Sequence, residues 1–339
     1  MNNINTDKAS AQHGGNLSLI AARYPKALHP FIDLSTGINP YPYAFSQIQP
    51  QWLQRLAESS EVAAAHQAAA EYYHLENPNN IALAAGMQPL MFALAALRLK
   101  EHGVSKIAIL PPTYGEHERV WQAIGHEILY ATSLGNAVQS DVVIICNPNN
   151  PDGRIIPISE LIALAEKLAA HDGWLIVDES FADIMPELSI SSRINQAKNI
   201  VTMRSCGKFF GAAGLRVSAA IAPKPWAEWL RIAVGPWPIS TISCHVIPAL
   251  FSDKKWTQDM RVQLAEESKN WRKILAAHFS IVGYTDLFTL VETEDANRCY
   301  ERLMSQGILV RPFDYNPCWL RFGLPTSSVL PRIEKALAG

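Results

Sequence analysis

The sequence predicts an α/β protein: a large domain built on an open, mostly parallel sheet, followed by a smaller α+β domain. Two observations carry that class. Between residues 81 and 223, short apolar runs alternate with longer segments of helical spacing, and several runs are unbroken, the pattern of strands buried on both faces. After residue 250 the character changes to one long amphipathic helix and then short strands. Strand, helix and strand in repetition imply right-handed crossovers between parallel strands.

Taken in order, residues 1–40 read as an N-terminal arm. The opening fifteen residues have no apolar stretch of signal-peptide length and carry Asp7, and the Pro-rich LHPFIDLSTGINPYPY (28–43) reads as extended chain with turns. Residues 41–250 form the expected large domain. Its strands are IALAA (81–85), KIAILPP (106–112), DVVIICNP (141–148), WLIVDE (174–179), IVTMRS (200–205) and SAAIAP (218–223). Helices are expected over 90–102, 116–124 and 158–171. The most apolar stretch, 81–97, is broken by Gly86, Gln88 and Pro89, well short of the ~20 residues that span a membrane. It reads as strand, turn and helix. Residues 251–339 form the smaller domain, with a helix over 257–278, strands near 281–292 and 308–322, and a helix at 295–306 between them.

Composition narrows the class of function. The chain has 339 residues, 48% hydrophobic and 18% charged, enough for about two domains and a sizeable core. That excludes a disordered chain, a fibre and a small disulfide scaffold. Twenty-nine Lys and Arg against 31 Asp and Glu leave a net charge of −2, so no basic footprint points to nucleic acid. Five scattered cysteines, without CxxC or metal-ligand spacing, fit free thiols in a reducing compartment. A soluble, cytoplasmic protein that binds neither membrane nor metal is expected.

In open α/β sheets, ligands bind at the carboxyl ends of the strands. Polar clusters stand there after five strands: 86–88, 112–114, 147–153, 178–181 and 205–208. In SCGKFFGAAGLR (205–216), Lys208 is ringed by Gly207, Gly211 and Gly214 and flanked by the anion ligands Ser205 and Arg216. A phosphorylated aldehyde would use all three, Lys208 forming an imine while Ser205 and Arg216 hold phosphate. A surface lysine or a nucleotide-phosphate contact is the plain alternative.

Asp178 ends an apolar strand, where a buried carboxylate without a cation is costly. A protonated pyridine nitrogen would supply that cation and keep the ring an electron sink. A magnesium ligand or a helix cap are the other readings, and no GxxxxGK[ST] accompanies it. NPNNPDG (147–153) has the composition of a turn, yet the Asn150 amide is placed to donate to a phenolate oxygen. Tyr114 suits stacking on a planar ring, or simply a core. The backbone N–H groups of Gly86, Met87 and Gln88 open a helix and form an anion site without side chains.

Together, Gly86, PTY ending at Tyr114, NPNNPDG, Asp178-Glu179, Ser205, Lys208 and Gly214-Leu215-Arg216 resemble the fold-type I pyridoxal-phosphate enzymes of the class I/II aminotransferase superfamily. The C-terminal VRP…WLRFG (310–323) resembles that family's substrate-carboxylate region. The resemblance implies a pyridoxal 5′-phosphate transferase fold, Lys208 as the Schiff-base lysine and Asp178 as the pyridinium partner. It implies Asn150 on the 3′ oxygen, Tyr114 stacked on the ring, and Ser205, Arg216 and the Gly86–Gln88 backbone around the phosphate.

HGGN (13–16), DLSTGINPYPY (33–43), RSCGKFFG (204–211) and GPWPIS (235–240) look like the threonine-phosphate decarboxylases of cobalamin biosynthesis, relatives of the histidinol-phosphate aminotransferases. That narrower resemblance implies decarboxylation of a small phosphorylated amino acid by a homodimer. Histidinol-phosphate-type transamination, using the same cofactor site, is the alternative. The resemblance gives Arg321 the substrate carboxylate; Arg321 and Arg311 would be the cations for the substrate's carboxylate and phosphate, with His13, Gly14, Gly15 and Asn39 covering the phosphate. The chain departs from the wider pattern at Phe181, often Tyr, at Gly207, usually Ser or Thr, and at Ser218, often Gly. Residues 52–62 lack the Tyr-Pro that in relatives reaches the neighbouring subunit's phosphate.

Overall fold

The computed structural model describes residues 14–45, 47–194 and 197–338. They divide into a large unit, Pro42–Asn150 with Arg154–Arg261, and a small unit. The small unit holds the described residues up to Tyr41, then Pro151–Gly153, then those from Val262 onward. Strand β1 (Ile32–Asp33) lies in the small unit. The large unit carries β2 (Ile81–Ala84), β3 (Lys106–Ile109), β4 (Glu127–Tyr130), β5 (Val142–Cys146), β6 (Trp174–Asp178), β7 (Ile200–Ser205) and β8 (Ser218–Ile221). The small unit resumes with β9 (Ser280–Thr285), β10 (Phe288–Glu292), β11 (Ile308–Leu309), β12 (Arg311–Phe313) and β13 (Asn316–Gly323).

The large sheet runs β2-β8-β7-β6-β5-β3-β4, and β8 alone is antiparallel to its neighbours. The reason is connection length. Parallel return needs a crossover of a dozen or more residues, usually a full helix. The link from β7 to β8 holds only one turn of helix, Cys206–Phe209, and a 3₁₀ turn, Ala213–Leu215. So β8 folds straight back, pairing Ser205 with Ser218, while Ala84 of β2 pairs with Ser218 on the other side. The ends of β2 and β7 and the start of β8 thereby meet at one edge.

Strands β5 and β6 are buried along their whole length, as their unbroken apolar runs require. Alternate residues serve opposite faces. Val142, Ile144, Ile176 and Val201 join one core with Leu90 and Leu94 of the helix Met87–His102, Trp121, and Leu230 of the helix Lys224–Val234. Val143, Ile145, Leu175 and Val177 face the other way and are equally buried. The helix Ile158–Ala169 buries Leu161, Leu164 and Leu168 outside that first core. Each such aliphatic chain stabilises the fold by about 1.5–3 kcal/mol.

In the small unit, β12, β13, β10 and β9 form an antiparallel sheet, and β1 pairs in parallel with β11. The stretch expected as strand near 281–292 is the β9–β10 hairpin, and the long helix expected over 257–278 runs Lys254–Ala276. Strand β4 has no counterpart in the expected elements. It is the sheet's outer edge and is largely exposed, so its sequence lacks a buried strand's signature.

Candidate active site

Strand order in the large sheet reverses between β3 and β5: β3 continues outward to β4, while β5 leads to β6 and β7. Such a switch point splays the following loops and opens a crevice. The loops after β3 and β5 are tied across it. Thr113 Oγ1 donates to Asn149 Oδ1 at 2.7 Å, and Asn149 Nδ2 donates to the Pro112 carbonyl at 2.9 Å. Asn147 is equally committed, bonding the Ile156 carbonyl and N–H at 3.0 and 2.9 Å. Two of the motif's three asparagines thus build the loop, and half-buried Asn150 stands beyond them.

Asp178 ends β6 beside this crevice, in register with Cys146 of β5 and Met203 of β7. Its Oδ1 accepts the Ser180 N–H at 2.9 Å and Oγ–H at 2.5 Å, and its Oδ2 lies 2.9 Å from His117 Nε2. Burial pushes the Asp178 carboxyl up, but the His117 hydrogen bond and charge, with the Ser180 donors, outweigh it and hold the group below its ordinary value. Burial alone would depress His117. The Asp178 bond, with Cys146 adding to it, instead lifts the imidazole to about 10. The pair is an imidazolium–carboxylate enclosed in protein, each side chain 5% exposed or less.

Sequence reasoning passed over His117. Its signal was present: His117 follows Tyr114 by three residues on the first turn of the helix Glu116–Ile124, so both face the same loop, ring centroids 5.9 Å apart. Donor atoms of His117, Cys146 and Asp178 all lie within 4.8 Å, a set that could in composition hold a metal. Of that set, His117 Nε2 and Asp178 Oδ2 are bonded to each other, and His117 Nδ1 has no hydrogen-bond partner among the described residues.

Tyr114 is half-buried, and its hydroxyl is pushed up to about 12 by burial and by the negative Asp178 and Glu116, against the pull of Arg216. The fields of Asp178 and Arg216 both reach this phenol, so it stands between an anionic and a cationic end of the crevice. Lys208 lies half-buried on the turn after β7, its Nζ 5.6 Å from the centre of the buried Phe181 ring.

The cationic end is shaped by backbone. Gly86 caps the helix Met87–His102 with φ 97°, where an L side chain is strained, and a Cβ there would collide with the Arg216 guanidinium. Arg216 itself holds a left-handed φ of 55°, which turns the chain out of the 3₁₀ turn into β8. Three features therefore converge: the N–H groups of Met87 and Gln88, the Arg216 guanidinium, and Ser205 through its Ser218 pairing, whereas the Gly86 N–H expected in this set donates to the Ala84 carbonyl at 2.8 Å. No acidic residue lies in the helix's first turn, which leaves its positive end for an external anion. The Gln88 side chain is occupied elsewhere, donating to Glu116 at 2.6 Å.

A second polar group lies beneath. Buried Arg204 on β7 donates to Glu179 at 2.7 Å and also binds Asp183, gripping both ends of the turn that carries Ser180 and Phe181. Glu179 takes a further bond from the Ile190 N–H at 2.7 Å. The network fixes that turn, and the expected site residues did not include it.

The small unit assembles its own set. Arg311 and Arg321 are direct cross-strand partners on β12 and β13. Arg321 is buried and donates to the Ser35 carbonyl at 2.9 Å. Burial, then the Arg311 charge, pulls its guanidinium down to about 10. Gly15 N–H donates to Ser35 Oγ at 2.7 Å, and a Cβ at Gly14 would strike Ser35, so these glycines lie against the segment that Arg321 holds. Asn39 accepts the Tyr41 N–H at 2.8 Å as a turn cap. His13 lies outside the described residues.

The sequence matches the model of the family described as aminotransferase class I and II over residues 32–337, and the chain belongs to that family. Within it, the chain is 37% identical over 333 residues to a threonine-phosphate decarboxylase of Sinorhizobium sp., covering 96% of this chain and 97% of that one. A protein of the same name from Pseudomonas aeruginosa is 34% identical over 333 residues, covering 97% of each. The histidinol-phosphate aminotransferase of Sinorhizobium meliloti, solved in complex with pyridoxal-5′-phosphate, superposes with a TM-score of 0.83 at 17% identity. That match covers 99% of this chain and 97% of that structure, and it establishes the shared fold.

Proposed function

We propose that this protein is a pyridoxal 5′-phosphate enzyme that decarboxylates L-threonine O-3-phosphate to (R)-1-amino-2-propanol O-2-phosphate, a step of cobalamin biosynthesis. One observation carries the choice of substrate: 37% and 34% identity, end to end, to two proteins named for that reaction. The likeness to a histidinol-phosphate aminotransferase is one of fold.

The large unit's crevice suits the cofactor. The cup of Gly86, Met87, Gln88, Ser205 and Arg216 is closed by the absence of a Cβ at Gly86 and would hold its phosphate. Asp178, kept ionised by His117 and Ser180, would hold the pyridine nitrogen in its protonated form. Asn150 would bond the ring oxygen, unaided by Phe181, which lacks a hydroxyl, and Tyr114 would cover the ring face.

When bound, the cofactor supplies an aldehyde for amines and a ring that withdraws the electrons left at Cα as CO₂ departs. The chain's own residues do the rest. Lys208 is the proton carrier: its half-buried amine, resting over Phe181, delivers a proton to Cα after carbon dioxide leaves. Arg321 and Arg311 orient the substrate's anions, with Gly14, Gly15, Asn39 and His13 at the phosphate. Which bond at Cα breaks is set by that orientation, not by a new residue type.

A homodimer follows from the family resemblance, and the exposed apolar Leu53, Leu56 and Trp237 of the large unit support it. A cytoplasmic setting is supported by five cysteines without a disulfide. The deciding experiment incubates the purified protein with L-threonine O-3-phosphate, and separately with histidinol phosphate plus 2-oxoglutarate. Release of CO₂ from the first, without glutamate from the second, is expected. Glutamate without CO₂ would make it an aminotransferase.

A further inference from the structure

Strand β9 carries a glycine in its interior, Gly283. Glycine weakens a strand, and inside one it marks a bulge, a bend or the close approach of another backbone. At Gly283 another backbone does approach, from the loop after β5: a Cβ there would collide with the Asp152 carbonyl. The loop answers with a glycine of its own. Gly153 holds φ 70°, and a Cβ on it would collide with the Tyr284 backbone. Both collisions are with main chain, so no side-chain rotation could relieve them.

Both sides of this contact are fixed. The loop is closed at its base, where the Asn149 N–H donates to the Arg154 carbonyl at 2.8 Å. Its tip, Pro151–Gly153, belongs with the small unit, while Asn150 and Arg154 belong with the large one. Asn150 is thus the residue at which the chain passes from the tied base to the seated tip. On the strand side, the Arg272 guanidinium covers the Tyr284 ring, 3.8 Å from its centre, and donates to Asp286 at 3.4 Å. Gly283 is in register with Leu290 of β10, and Leu290 with Arg321 of β13. Directly opposed residues point to one face, so Asp152 rests on the face that carries Arg321. The two positions are two strand spacings apart, about 10 Å.

We propose that Gly283 is a positioning residue for Asn150: by admitting the Asp152 carbonyl it seats the loop tip, and so aims the Asn150 amide at the cofactor's ring oxygen. The mechanical link is short. Asn150 is joined directly to Pro151, whose ring fixes its own φ and restricts the backbone of the residue before it. A displaced tip therefore passes its movement to Asn150 with little slack. The aim at the ring oxygen rests on the pyridoxal-phosphate reading of Asn150; the seating of the loop on β9 stands on the two glycines themselves.

The test titrates the visible absorbance of the lysine-bound cofactor against pH in the wild-type holoenzyme, Gly283→Ala, Asn150→Ala and the double variant. An amide donor to the ring oxygen competes with the proton which that oxygen shares with the lysine-bound nitrogen, so its loss raises the midpoint. Asn150→Ala should raise it by about one pH unit or more, and Gly283→Ala by at least about half as much. In the double variant Gly283→Ala should add nothing, because it acts through that amide. Gly153→Ala presses the same backbones apart from the loop's side; it should give the same pattern and serves if Gly283→Ala does not fold. A second measurement follows amide hydrogen exchange in the cofactor-free proteins, where the glycine variant should speed exchange at Asn149 by about tenfold or more. A wild-type midpoint in the glycine variant, shifts that add in the double variant, or unchanged exchange would each overturn the proposal. If Asn150→Ala leaves the midpoint unmoved, the ring-oxygen reading fails, and the exchange comparison still decides whether Gly283 holds the loop.

Discussion

Replacing His117 with Gln tests the electrostatics of the site most directly, because it removes a buried charge while keeping a donor for Asp178. The wild-type imidazole is lifted from an ordinary 6.5 to about 10. Each tenfold gain in proton affinity is worth about 1.4 kcal/mol, so the pair's contribution to folding has a ceiling of ~5 kcal/mol. Asp178's depressed value is the same bond seen from its other end and adds nothing further. Loss of one partner of a buried pair costs about 3–5 kcal/mol, and the retained amide donor brings the expectation to the low end of that range.

The sign follows from His117 being raised. Its contribution is fully present below pH 6.5 and disappears as pH climbs through about 10. The Asp178 carboxyl is held low, so its share would be lost only as pH falls below the ordinary carboxylate range. Urea unfolding of the cofactor-stripped proteins at pH 6, 8 and 10 reads the difference. His117→Gln should be about 3 kcal/mol less stable at pH 6, and the gap should close by pH 10. A gap of the same size at both ends, or none at pH 6, would refute the ion-pair account.

Lys208→Ala should abolish the visible absorbance of the lysine-bound cofactor and the pyridoxyl peptide recovered after borohydride reduction; a labelled peptide from elsewhere would displace Lys208 from its role. Gly86→Ala forces a side chain onto a φ of 97° and against Arg216, so cofactor affinity should weaken by about tenfold or more in a fluorescence titration. Undiminished affinity would remove Gly86 from the phosphate cup. Arg321→Ala should raise KM for the phosphorylated substrate by about 30-fold or more with cofactor absorbance intact, and a normal KM would refute the anion assignment.

The strand-end chemistry was legible in the sequence because it is local. A buried strand announces itself by an unbroken apolar run, and the polar residue that follows lies at the sheet's ligand edge; Asp178 after WLIV and Asn150 after DVVIIC are read in this way. Elements without a core-facing stripe were not legible. The helix Ser59–Tyr72 is alanine-rich on several sides, and exposed β4 lacks a buried face.

Contacts between residues far apart in the chain required the tertiary structure. The His117–Asp178 bond spans 61 residues, and the Arg321–Ser35 bond spans 286. Neither has a local signature, because what places each pair is strand order and register. Likewise, nothing in SAAIAP announces that β8 runs antiparallel; the short β7–β8 link and its pairing on both sides decide that. Sequence by itself determined which chemical groups stand at the strand ends. Tertiary structure decided which of them share a field, since charge coupling depends on distance and burial, quantities that exist only once the strands have paired.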